Sequence, residues 1–168
     1  MRTHLRRFTL ALLLPVAGPL PAGNADAGNV AIRYVNPKDY TDAAMDGANR
    51  TDPRVLTILE RHFQSLAARC LPPGKTLNIQ VLDIDLAGQV EWRRGGSGNS
   101  VRVLREITWP RITLAYTLHG DDGRVAEARE QVNDMDYLWA GGTARTQSEP
   151  LSYERAMLER WFLQRFCG

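Results

Sequence analysis

Apolar and polar residues alternate along "NVAIRYVNP", placing Val30, Ile32 and Tyr34 on one side of an extended chain and Ala31 and Arg33 on the other. The pattern predicts a strand that stops at Pro37. The next stretch, "KDYTDAAMDGANR", has no period and reads as a loop. At Asp52 the period changes. Asp52 followed by Pro53 is a helix start, a capping side chain and then proline at the first helical position. Leu56, Leu59, Phe63, Leu66 and Cys70 follow at spacings of three and four, with Glu60, Arg61, Gln64 and Arg69 on the polar side. "PPG", Pro72 to Gly74, ends this helix.

From Thr76 the alternation returns, but it breaks its own phase. Leu77, Ile79 and Val81 share one face, whereas Leu82, Ile84 and Leu86 share the other. Either a β-bulge absorbs one residue near Val81-Leu82, or both faces of the strand are covered. The choice decides the fate of Asp83 and Asp85 in "VLDIDLAG". Without a bulge they point into the core; with one they turn outward. Burying an unpaired carboxylate is costly, which favours the bulge.

"RRGGSGNS" reads as a loop and "VRVLREITW" as extended chain interrupted by Pro110. "RITLAYTL" alternates cleanly, with Ile112, Leu114, Tyr116 and Leu118 inward, and "HGDDG" is a hairpin turn. "RVAEAREQV" returns as the partner strand; its weak alternation suits an edge, and its Ala, Glu and Arg content leaves a helix as the alternative. "AGGTARTQS" is a loop, and Pro150 opens a last helix over 151–166. Met157, Leu158, Trp161 and Phe162 cluster on one side of it, with Glu154 and Arg165 near the middle of the same stripe. The element order predicts an α+β fold: a two-layer sandwich with a mostly antiparallel sheet of about four to five strands and two helices packed on one face.

The N-terminus adds an address. Arg2, Arg6 and Arg7 precede the apolar run "FTLALLLPVAGPL", and a small-residue stretch ends in Ala25-Asp26-Ala27. That is the grammar of a Sec-type signal peptide over residues 1–27, with cleavage near Ala27 and one α+β domain over 28–168. The run is too short and broken for a membrane span. No cysteine lies near the cleavage site to carry a lipid, so the expected product is a periplasmic or secreted chain, not a lipoprotein. Taking three arginines and one aspartate from the chain's 21 basic and 19 acidic residues leaves 18 of each. A neutral mature chain lacks the basic excess of a nucleic-acid binder. The two cysteines, Cys70 and Cys167, end the two predicted helices. An oxidising compartment favours their pairing, although spacing alone leaves two separate thiols open.

Five stretches taken in order carry a family likeness: "VNPKDYTD", "LPPGKTLNIQVLDIDLAG", "VRVLREITWPRI", "NDMDYL" and "LSYERAMLERWF". Together they resemble the bacterial envelope family catalogued as domain of unknown function 3016. The resemblance implies a periplasmic address and a single domain, and it transfers no catalytic residue.

Chemistry-bearing patterns are sparse. Outside the signal only His62 and His119 remain, and there is no G-x-S-x-G elbow and no C-x-x-C. Asp83 with Asp85 is the strongest pair, and Asp134 with Asp136 in "NDMDYL" repeats its spacing, with Asp39 and Asp42 adding acid. Converging carboxylates would suit Ca²⁺, but no EF-hand loop is present. Trp92 and Trp139 flank glycine-rich loops and suit a recognition rim, whereas Trp161 belongs to the core. These readings lead to a non-enzymatic accessory domain that engages another envelope protein. It has no cofactor and no metal site, and its candidate contact face is Asp83, Asp85, Asp134, Asp136, Trp92 and Trp139. The alternative is a small-ligand or divalent-metal binder using the Asp83/Asp85 face, and a carboxylate hydrolase ranks below both.

Overall fold

A computed structural model describes residues 28–46, 50–92, 100–120, 122–140 and 149–167. The predicted signal peptide, most of the 93–100 loop and the 141–148 part of the second glycine-rich loop lie outside the described residues.

The strand β1 (Asn29–Tyr34) leads through a short 3-10 turn at Pro37–Asp39 to the helix α1 (Pro53–Cys70). Asp52 caps that helix by accepting from the Arg54 amide at 2.8 Å, and Pro53 takes the first turn. The strand β2 (Thr76–Asp85) then pairs parallel with β1, Val30 opposite Leu77 and Ile32 opposite Ile79. A small hairpin follows, β3 (Gln89–Trp92) with β4 (Ser100–Val103). Next come β5 (Arg111–His119) and β6 (Val125–Asn133), a four-residue helix α2 (Tyr137–Ala140), and α3 (Ser152–Phe166).

The main sheet has the order β1-β2-β5-β6, with one parallel and two antiparallel pairings. The expected mostly antiparallel α+β sandwich is present. β3 and β4 form their own two-stranded sheet and add nothing to the main one. "RVAEAREQV" is strand β6, not helix: its partner β5 supplies nine consecutive cross-strand pairs, which outweigh local helix propensity.

One face of the sheet carries the core. Val55, Leu59, Phe63 and Leu66 of α1 and Met157, Leu158 and Phe162 of α3 pack with Leu77, Ile79, Val81, Ile84, Ile112 and Leu114. The helices run side by side in the same direction: the Arg155 carbonyl of α3 lies 2.9 Å from His62 Nε2, and Glu159 meets Arg69. Cys70 and Cys167 form a disulfide that joins their C-terminal ends, with Cα atoms 4.9 Å apart.

The phase slip in β2 is a bulge. Val81 opposes Leu114 and Asp83 opposes Thr113, so Leu82 is the extra residue. If Leu82 is skipped, the alternation is regular: Leu77, Ile79, Val81 and Ile84 are buried, and Asp83 and Asp85 stand on the outer face.

Candidate functional site

The two outward aspartates fasten a loop to the sheet. Asp83 accepts the Thr41 amide at 2.7 Å, the Thr41 hydroxyl at 2.8 Å and the Ile84 amide at 2.9 Å. One residue further on, Asp42 rejoins the sheet: its amide donates to Ile84 O at 2.9 Å, and its carbonyl accepts from Leu86 N at 3.0 Å. This single parallel bridge places Asp42 beside Asp85. Each carboxylate then meets an arginine. Arg111, opposite Asp85 on β5, donates from Nε at 3.0 Å and from its terminal nitrogen. Arg102 of β4 forks onto Asp42, at 2.9 and 3.1 Å, and also donates to the carbonyls of Ala44 (2.6 Å), Gly88 (3.0 Å) and Ala87 (3.2 Å). A planar guanidinium suits this many fixed acceptors. Through it the small hairpin is tied to the loop and to the end of β2.

The other predicted acids lie elsewhere. Asp134 follows β6 and pairs with Arg160 of α3, toward the helical layer. Asp136 is exposed just before α2. Asp83 and Asp85 therefore do not converge with Asp134 and Asp136, and among the described residues no group of three or more His, Cys, Asp or Glu side chains is placed to hold a metal. Trp139 is 71% exposed on α2. Trp92 contributes backbone to β3, opposite Ser100, and its side chain lies outside the description.

The loop, β2 and the hairpin enclose an open, mostly polar crevice of about 570 Å³. Lys38, Tyr40, Arg50 and Thr51 line one side; Asp85, Gln89, Ile107 and Arg111 line the other. Lys38 and Arg50 are brought close because the Thr51 hydroxyl donates to the Pro37 carbonyl. Both cations are exposed, and neither makes an ion pair among the described residues. Tyr40 spends its hydroxyl on Val81 O at 2.9 Å, and burial pushes its pKa up to about 12, so it is no acid or base near neutral pH. No histidine or cysteine is among the described residues of the lining.

Behind the crevice lies a buried acid. Glu154, in the first turn of α3, is 3% exposed and accepts the Ala87 amide at 2.7 Å. Burial raises its pKa above the usual carboxylate range, against the opposing pull of the Ala87 amide and of Arg102. Its place in the middle of the apolar stripe was the sequence signal for this burial. His62 is also buried, between the two long helices, and burial lowers its pKa. Glu130 sits under α3, where burial would raise its pKa. Hydrogen bonds from Trp161 (3.0 Å), Arg165 and Tyr116 (3.2 Å) outweigh burial and lower it.

With this geometry the family becomes plain. The family described as "Protein of unknown function (DUF3016)" matches residues 28–164, and the chain belongs to it. No curated protein matches the chain. A solved structure described as the 2.35 Å crystal structure of a minor lipoprotein from Acinetobacter baumannii aligns over 84% of this chain and 90% of that one, at 11% identity and a TM-score of 0.26. So slight a likeness carries no argument.

Proposed function

We propose that this chain is an exported, non-enzymatic accessory domain that engages another envelope protein along the free edge of β6. The observation that carries this reading is the edge itself. β6 is nine residues long, it closes the sheet order, and among the described residues it pairs only with β5. An unpaired edge offers a row of amides and carbonyls to an extended segment of a partner. Export by a signal peptide cleaved near Ala27 fits the Cys70–Cys167 disulfide, which persists in oxidising compartments. It also fits a described chain in which no helix is long and apolar enough to cross a membrane.

The test is site-specific photocrosslinking in the intact envelope from Glu127 and Arg129 of β6, with Ala31 of β1 as the comparison. One dominant adduct from both β6 positions and none from Ala31 is the expected result. Equal labelling at all three sites, or none on β6, overturns the edge as the contact.

A further inference from the structure

We propose that the crevice beside Asp85 binds a small organic anion, a molecule presenting a phosphate or carboxylate group to Lys38 and Arg50. Inside this concave wall the charges do not balance. The crevice's own acids are already occupied, Asp42 by the fork of Arg102 and Asp85 by Arg111. The nearby Asp52 caps α1 and holds Arg54. Lys38 and Arg50 make no ion pair among the described residues, and they stand on two segments joined by the Thr51–Pro37 hydrogen bond. Cations scattered over a convex surface are simply solvated. Here two of them line one crevice, so a single bound anion can meet both.

The rest of the lining fits the size and character of such a ligand. A volume of about 570 Å³ falls within the range of small-molecule sites, about 300–1,000 Å³. Ile107, 76% exposed, and Val90 offer apolar surface to the body of the molecule, and Gln89 offers hydrogen bonds. The crevice is lined by no residue of β6, so this site is independent of the β6 edge, and either can fail without the other.

The test is titration calorimetry on the full disulfide-bonded chain at low salt, with glucose 6-phosphate, glucuronate and glucose as probes. The expected result is binding of one or both charged probes and none of glucose. The pair of charged probes reports which anionic group is preferred. Lys38→Ala and Arg50→Ala each weaken that binding by about tenfold or more, the scale of one charge-assisted hydrogen bond. Arg61→Ala, a charge change on the exposed side of α1, leaves it unchanged. Both substituted crevice residues are exposed, so the variants stay folded. Three outcomes overturn the proposal: neither charged probe binds, glucose binds as well as they do, or Arg61→Ala weakens binding as much as the crevice variants.

Discussion

The guanidinium of Arg102 donates to the carboxylate of Asp42 and to the carbonyls of Ala44, Ala87 and Gly88. Replacing it strands one half-buried carboxylate and three acceptors at once. Arg102→Ala is expected to cost about 2–4 kcal/mol in urea unfolding. Arg102→Lys recovers less than half of that, because an ammonium cannot fork. Glu154 and Glu130 make opposite pH predictions. The pKa of Glu154 is raised in the folded chain, chiefly by burial, so its folded state holds the proton longer than its unfolded state. It therefore weakens the fold as pH rises from the ordinary glutamate value through the folded one. Glu154→Gln keeps an acceptor for Ala87 N and removes that penalty. Its melting temperature should exceed the parent's at pH 8, with the gap narrowing toward pH 4.5, the ordinary glutamate value. For Glu130, burial alone would raise the pKa, but hydrogen bonds from Trp161, Arg165 and Tyr116 lower it, and the stability this supplies is lost as pH falls through the folded value. Glu130→Gln is less stable at pH 7, and the deficit closes in acid.

At the scale of elements, the bulge in β2 sets what Asp83 is worth. It stands on the outer face and accepts three hydrogen bonds from Thr41 and Ile84. Asp83→Asn keeps one oxygen acceptor and costs about 1 kcal/mol; a loss above about 3 kcal/mol would mean a buried, paired charge. The slip was legible because the period of a strand is two, so one extra residue inverts every later side chain. β1, α1, β5 and α3 were legible for the same reason, each long enough to repeat its period. α2 was not, since four residues span barely one turn. The separate sheet of β3 and β4 was not legible either. Its place depends on Arg102 reaching residues 14 to 60 positions away, and no local pattern encodes that distance. The crevice escaped detection in the same way, since its lining comes from four stretches between Lys38 and Arg111 that meet only after folding. Asp83 and Asp85, which drew attention in the sequence, proved to be its fasteners, while Lys38 and Arg50 lay in a stretch read only as a loop.

At the scale of the whole molecule, the disulfide ties the two helices into one unit. It closes a loop of 97 residues, and the chain-entropy relation gives roughly 4–5 kcal/mol for a loop of that size. Typical domains have about 5–15 kcal/mol in all, so Cys167→Ser, or reduction of the parent, should lower the melting temperature by on the order of 10 °C or more. A scan with and without reductant measures it, and a cysteine variant insensitive to reductant confirms the source.

The same bond also keeps time. Cys70 is made before Cys167, and the packing of α3 beside α1 holds the two sulfurs within reach of each other. Oxidation is therefore expected to follow that packing. The fraction of chains that resist a thiol-blocking reagent at successive moments after synthesis would trace, in a living cell, how long the last helix takes to arrive.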